Sequence, residues 1–278
     1  MAQGNRRRGQ GQRNRSSSEH ARSGSPSGDA RRTKGTRGER VEGRHAVREL
    51  LLAGTRSARE IVMAAGQDSA SILDDIVQLA GETRTPVREV GKAAFDKQAH
   101  TEAAQGVYAE ADPVPTIELD DLLAELTTPF LVMVDGVTDP HNLGAILRTA
   151  DAAGVDGVVL PRHRSARLSA TVSKIAAGAV EHVPISTVAG VPAAITLLKD
   201  REVWTVGLDE SGSRSIFELE LATEPICLVL GAEGPGLARL TRDRCDQLVS
   251  IPMGGGVSSL NVSAAAAIAM FEVTRRRL

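Results

Sequence analysis

An α/β protein is what this sequence predicts: a C-terminal domain on a mostly parallel sheet, a small α/β domain in front of it, and a disordered basic tail ahead of both. Three observations carry that prediction. In the second half, strands that are apolar without alternation are interleaved with helical stretches, the pattern of a sheet covered on both faces. The 278 residues exceed the usual length of one compact unit. Charge is also unevenly spread, because residues 1–40 carry +8 and the rest −10 within a net charge of −2.

In residues 1–40 eleven Lys and Arg face three acidic residues, and the apolar side chains are Met1, Ala2, Ala21 and Ala30 alone. So few cannot offset the entropy of ordering the backbone, so the segment is expected to be disordered. A cationic arm gains affinity for polyanions by counterion release, which points to nucleic acid without sequence preference; a merely solubilising extension is the other reading. Hydrophobic residues at 41% and charged ones at 24% match globular averages, and no stretch approaches the ~20 apolar residues of a membrane helix, so no membrane partner is expected. The first forty residues lack an apolar h-region and two cysteines cannot build a disulfide framework, so the expected compartment is cytoplasmic. Aromatics are sparse at 2%, which disfavours base-stacking sheet surfaces and leaves charge, backbone contacts and shape to select an RNA.

From Val41 to Ala111 (41–111) the sequence predicts a helix over His45–Ala53, a strand at Glu60–Ala64, a helix over Ala70–Ala80, and strands at Val87–Val90 and Gly106–Glu110. Asp112-Pro113-Val114-Pro115 removes two backbone donors, so residues 112–128 read as linker and lead-in. The C-terminal domain, 129–278, has apolar runs at Phe130–Val134, Gly157–Leu160, Val203–Leu208, Ile226–Leu230 and Leu248–Ile251, separated by helical stretches. Such sheets bind ligands at the carboxyl ends of their strands, which directs attention to the loops after Val134, Leu230 and Ile251.

After Val134, Asp139-Pro140 fits an N-cap with proline at the first helical position, and Leu143, Ile146, Leu147 and Ala150 form a buried stripe. Arg148 then lies on the flank with Gly144 one turn back, uncrowded and suited to a phosphate, or simply solvated. After Leu230, Gly231-Ala232-Glu233-Gly234-Pro235-Gly236 allows positive φ and close approach of backbone to a ligand, yet matches neither a Walker loop nor GxGxxG. Glu233 is a functional carboxylate or an ordinary turn residue. After Ile251, Ser259, Asn261 and Ser263 crowd the start of an Ala-rich helix ending near Val273, more polar groups than capping needs, where free donors favour an anion. His20, His45, His100, His141, His163 and His182 are scattered and Cys227 and Cys245 are apart, so no metal site is expected.

Together the three segments closely resemble the signature motifs of the SpoU/TrmH family of RNA 2′-O-ribose methyltransferases. Asn142-Leu143-Gly144 with Arg148 resembles the first motif, Gly231 to Leu237 the second, and Ile251-Pro252-Met253 through Ser259-Leu260-Asn261-Val262-Ser263 the third, in the family's order and spacing. The Gly231-Ala232-Glu233-Gly234 form resembles the RlmB-type 23S rRNA guanosine branch, as do Val41-Glu42-Gly43-Arg44-His45-Ala46-Val47 and His100 to Val107 in the front domain.

The resemblance implies a deep trefoil knot at the C-terminal end, S-adenosyl-L-methionine as cofactor, an RNA substrate, a front RNA-binding domain, and a homodimer with the site completed across the interface. It implies that Gly231, Ile251 and Leu260 contact the cofactor, with Met253 nearby, and that Asn142, Arg148, Glu233, Ser259 and Asn261 form the polar catalytic group. A guanidinium stays protonated up to a pKa above about 12, so Arg148 reads as a clamp on the target phosphate and developing alkoxide rather than as a base. Glu233 would orient polar groups, and Ser259 and Asn261 would bond the substrate or cofactor carboxylate at the helix start. Arg44, Arg48 and Arg56 are the front domain's basic candidates. The expected reaction is ribose methylation of a guanosine in the peptidyl-transferase region of 23S rRNA. Alternatives are a tRNA or antibiotic-target rRNA site, or a non-catalytic ribosome-assembly factor.

Overall fold

The computed structural model describes residues 38–68, 70–100 and 104–278; the tail expected over 1–40 lies outside these except for its last three residues. In the front domain β1 (Glu39–Glu42) leads through Gly43 into α1 (Arg44–Ala53), followed by β2 (Ala58–Ala64), α2 (Ser71–Thr83), β3 (Val87–Val90), α3 (Lys92–Gln98) and β4 (Val107–Ala111). The strand order is β1-β4-β2-β3, with β4 antiparallel to both neighbours and β3 parallel to β2. The amphipathic α1 buries Ala46, Val47, Leu50 and Leu51 against this sheet and stops where Gly54 turns left-handed at φ 61°.

Glu39 and Arg40 belong to this sheet, not to the tail. Their side chains explain it: Glu39 accepts a bond from Arg56 at 2.9 Å, while Arg40 bonds Glu110 through Nε at 2.8 Å and lies 4.2 Å from the Tyr108 ring centroid. The strand β1 and helix α3 are additions to the elements the sequence predicts; both are short, with too few apolar positions to show a period.

The C-terminal domain begins with α4 (Leu119–Ala124) and continues through β5 (Phe130–Asp135), α5 (Pro140–Ala152), β6 (Gly157–Pro161), α6 (Ala170–Ile175), β7 (Ile185–Val188), α7 (Val191–Asp200) and β8 (Trp204–Leu208). It ends with β9 (Arg214–Ser215), β10 (Ile226–Gly231), α8 (Arg239–Arg244), β11 (Gln247–Ser250) and α9 (Val262–Arg277). The described strands form one seven-stranded sheet, β7-β6-β5-β10-β8-β11-β9, and each pairing is parallel.

The central strands β5, β6 and β10 are buried almost throughout, which is why they read as continuous apolar runs. Alternate residues serve opposite layers. Val132, Val134, Leu228 and Leu230 pack with α5 and with Ala266, Ala269 and Met270 of α9; Leu131, Met133, Cys227 and Val229 pack with α4 and with Ile195 and Leu198 of α7. Helix α9 runs on to Arg277, beyond the end expected near Val273. Its last turn is anchored because Arg277 donates to the carbonyls of Ala222 and Glu224 and its guanidinium lies 5.1 Å from the Phe130 ring centroid.

One crossing departs from ordinary sheet topology. Strand β11 is hydrogen-bonded to β8 on one side and β9 on the other, yet β8 and β9 are joined directly by residues 209–213. That connection therefore bridges over β11, and it does so closely, since a Cβ on Gly212 would stand 2.4 Å from the Val249 carbonyl carbon. Ser250 Oγ donates to the Gly212 carbonyl at 3.1 Å and fastens the crossing.

The two domains share a buried ion pair. Arg56, 2% exposed in its side chain, donates to Glu181 at 2.9 and 2.6 Å, and to the Asp112 carbonyl at 2.8 Å, beside the Glu39 bond. Arg56 is thus occupied inside the protein and offers no basic surface to RNA, contrary to expectation; Arg48 is likewise engaged by Asp75 and Glu49. None of the helices described is long and apolar enough to cross a membrane.

Candidate active site

Parallel strands put the carboxyl ends of β8, β10 and β11 side by side, and there the structure holds a cleft of about 470 Å³. Its walls are Leu208 to Glu210, the turn from Leu230 to Gly236, Ile251 and Met253, and the stretch from Ser258 into α9.

The turn after β10 is closed by itself. Ala232 and Gly236 exchange two backbone hydrogen bonds of 2.9 Å, and Gly234 and Gly236 take φ of 83° and 66°. A Cβ on Gly231 would lie 2.2 Å from the Gly236 carbonyl carbon. Gly231 is therefore glycine because the turn folds back onto it, and it lines the cleft as well. The reversal puts Glu233 at the tip of the turn, facing α5.

A hydrogen-bonded relay ties the three motif segments together. Asn142 Nδ2 donates to Glu233 Oε2 at 3.1 Å, and Asn142 Oδ1 accepts from Asn261 Nδ2 at 2.9 Å. Asn261 Oδ1 accepts from the Ser263 amide at 2.9 Å and hydroxyl at 2.6 Å, capping α9. The direction of the relay is chemically forced. A carboxylate at one end only accepts and a backbone N–H at the other only donates, so each asparagine amide between them has one possible orientation. Asn142, 6% exposed, is held in the first turn of α5, whose N-cap Asp139 accepts from the His141 amide at 3.1 Å.

Among the sequence-predicted residues, Gly231, Glu233, Ile251, Met253, Ser259, Leu260 and Asn261 line the cleft, and Asn142 supports it from behind. Ser259 is exposed ahead of the helix, and Asn261 spends its oxygen on the cap, so the helix start is already satisfied from within. Arg148 does not join the cleft. It is exposed on α5 and has no hydrogen bond or ion pair among the described residues. The space at Gly144 is taken by α6, because a Cβ there would meet Ile175 at 2.7 Å; Gly144 serves helix packing rather than room for Arg148.

Two residues outside the expected set complete the cleft. Asp209, just past β8, bonds Arg242 at 2.8 Å and accepts from the Ser211 amide and hydroxyl at 3.0 and 2.5 Å. Burial pushes its carboxyl up, but the Ser211 bonds and the Arg242 guanidinium outweigh this and hold it below the usual carboxylate range. Arg242 Nε is buried without a hydrogen-bond partner. The available signal was position: Asp209 follows an apolar run at a strand's carboxyl end, in a loop that Gly212 marks.

Chemically the cleft joins an apolar floor of Leu208, Leu230 and Ile251 to Asp209, Glu210 and Glu233, with Arg242 as its one basic residue. This combination fits a ligand with a flat apolar part, a net cationic centre and a carboxylate. Among the described residues no group of His, Cys, Asp and Glu is arranged to hold a metal ion. Burial raises the thiols of Cys227 and Cys245, the latter to about 12, so neither is a nucleophile near neutral pH.

Residues 129–271 match the model of the SpoU rRNA Methylase family, and residues 40–116 match a model described as RNA 2′-O ribose methyltransferase substrate binding. The chain is 42% identical over 242 residues to the 23S rRNA (guanosine-2′-O-)-methyltransferase RlmB of Pectobacterium atrosepticum, covering 86% of this chain and 98% of that one. It is 40% identical to the protein of that name from Escherichia coli K12, covering 86% and 99%. Among solved structures it resembles the SpoU methyltransferase AviRb from Streptomyces viridochromogenes in complex with AdoMet, with TM-score 0.72, 25% identity, and 86% and 90% of the two chains covered. An AdoMet-bound rRNA methyltransferase from Sinorhizobium meliloti gives TM-score 0.73 at 25% identity, covering 87% and 88%.

Proposed function

Because the chain belongs to the SpoU rRNA methylase family, we propose that it methylates the 2′-hydroxyl of a guanosine in the peptidyl-transferase region of 23S rRNA. The observation that carries this reading is the relay from Glu233 through Asn142 to Asn261, which gathers three segments far apart in sequence around one cleft. The cleft's apolar floor and excess of carboxylates fit S-adenosyl-L-methionine, which supplies an electrophilic methyl group when bound.

In this reading Gly231, Ile251, Met253 and Leu260 border the cofactor, while Asp209 and Arg242 hold its polar end. Glu233 and Asn261, fixed by Asn142, present oriented polar groups to the ribose, and Ser259 adds a hydroxyl at the open edge. Holding two reactants in attack geometry can contribute roughly 7–11 kcal/mol, so rigid placement is the main work asked of these residues.

Arg148 completes the group as the clamp on the target phosphate, acting from the second subunit of a homodimer. Its exposure and freedom from partners support this, as do the exposed Met253, Val257 and Leu260 beside the cleft and Phe271 on α9, apolar surface suited to a subunit interface. The passage of β11 under residues 209–213 supports a deep trefoil knot, and the enzyme would act in the cytoplasm, where ribosomal RNA is found.

Incubating purified protein with labelled cofactor and a 23S rRNA fragment spanning the peptidyl-transferase region should transfer one methyl group to a guanosine ribose. Label appearing only in tRNA moves the target to tRNA, and none in any RNA overturns the enzymatic reading.

A further inference from the structure

The front domain contains a second cleft of about 480 Å³, and nothing in the reaction above uses it. Its walls come from Arg44 at the start of α1, residues 64–68 and Ala70 after β2, Lys92, Phe95 and Asp96 on α3, and Gln105-Gly106 ahead of β4. One side is wired for rigidity. Gln67 donates to the carbonyls of Ala64 and Gly106 at 3.0 and 2.9 Å and accepts from Arg44 at 3.2 Å. Gln105 accepts from the Arg44 amide through its side chain and from Arg44 Nε through its carbonyl, both at 3.1 Å. Gln105 is held left-handed at φ 54°, a conformation a non-glycine residue keeps only where its surroundings over-determine it.

The other side is chemically open. The side chains of Lys92, Asp68 and Asp96 make no hydrogen bond or ion pair among the described residues, and Arg44 keeps a terminal nitrogen unspent. Two cations beside two carboxylates do not make a site for a free anion, because the carboxylates repel one. They do match a nucleotide, whose phosphate takes the cations while its base and sugar donate to the carboxylates. Phe95 is 2% exposed and offers no stacking face, so recognition here is polar.

We propose that this cleft is a second RNA subsite, seating one nucleotide of the substrate away from the methylated ribose, with its phosphate against Lys92 and Arg44 and its N–H and O–H donors toward Asp68 and Asp96. The inference rests on RNA being the substrate. It is tested on the full chain with a 23S rRNA fragment, measuring affinity across a salt series together with methylation kinetics. Lys92→Ala, an exposed position, should weaken binding roughly threefold to tenfold and lower the slope of log affinity against log salt by about one. It should raise KM for RNA while leaving kcat and cofactor affinity unchanged. Asp96→Ala is the sharper variant, because it removes both the charge and the acceptor oxygens, whereas an asparagine would keep an accepting carbonyl. Removing a negative charge from a surface that merely attracts RNA tightens binding, whereas removing an acceptor that the nucleotide uses weakens it, and weakening is expected. An unchanged slope and KM for Lys92→Ala, or tighter binding by Asp96→Ala, overturns the subsite while the wild type still methylates RNA. A wild type that neither binds nor methylates RNA overturns the functional reading instead, and the subsite with it.

Discussion

In the C-terminal cleft the polar side chains are bonded to one another, Glu233 to Asn142 and Asn142 to Asn261, whereas in the front-domain cleft Lys92, Asp68 and Asp96 face open space. The two cavities are nearly equal in volume, about 470 and 480 Å³, so size does not separate them. The difference lies in what is fixed before the ligand arrives. A site that must align atoms for transfer gains from groups already oriented, because no reorganisation is then needed at the moment of reaction. A site that only holds a strand in place works with groups the ligand itself satisfies. Preorganisation, rather than volume or charge, thus distinguishes a chemical site from a docking site within this chain.

The contrast is broken most severely at the relay. Asn261→Asp keeps a good N-cap for α9 but replaces the amide that donates to Asn142, so turnover should fall on the order of 10²-fold with little change in melting temperature or RNA affinity. Single-turnover kinetics beside a thermal melt check it, and an equal loss of RNA binding would contradict the assignment. Arg148→Lys should lower turnover about tenfold or more, because a point charge cannot hold a phosphate in a bidentate fork; near-normal rates would count against the clamp. Mixing Arg148→Ala and Asn261→Asp proteins should restore measurable activity if each site draws on both subunits.

Arg56→Ala tests whether the clefts need a fixed relation. It strands Glu181, 1% exposed in its side chain, and should cost about 3–5 kcal/mol of stability in denaturant titration. The smallest effect belongs to Glu272 on α9. Its bond from Arg275 outweighs the opposing effect of burial and, with Arg276 adding to it, brings the carboxyl from 4.5 down to about 2. A lowered folded-state pKa means the stabilisation is complete above pH 4.5 and is lost as pH falls toward 2. Glu272→Gln should therefore lower stability above pH 4.5, leave it nearly unchanged near pH 2, and so flatten that part of the acid-unfolding profile.

Much of the C-terminal domain was legible because a strand buried on both faces must be apolar throughout, and β5, β6 and β10 come close to that. Edge strands escape this rule. Strand β7 follows Pro184 and is partly polar, and β9 has two residues, so neither leaves a readable run. Glu233 and Asn261 stood out as polar residues at a strand end and a helix start, and Asn142 through the resemblance of its segment to the family's first motif, but their mutual bonding did not, since contacts between residues 91 and 119 positions apart depend on tertiary folding. The packing around Gly144 and Gly231 was not legible, for one reason. A glycine signals that something comes close without saying whether the neighbour is a ligand, another helix, or its own turn, and here it was α6 and Gly236. Arg56 looked like surface charge because sequence cannot reveal that Glu181 waits for it inside the protein.

The bridge from residue 209 to residue 213 over β11 sets the order in which this protein can become competent. Asp209 at the foot of that bridge, and Ile251 and Asn261 beyond the strand it spans, are walls of one chamber. A chain cut after β10 owns Leu208, Asp209 and Leu230 but neither Ile251 nor Asn261, so in the proposed reading such a truncation abolishes donor binding outright rather than weakening it.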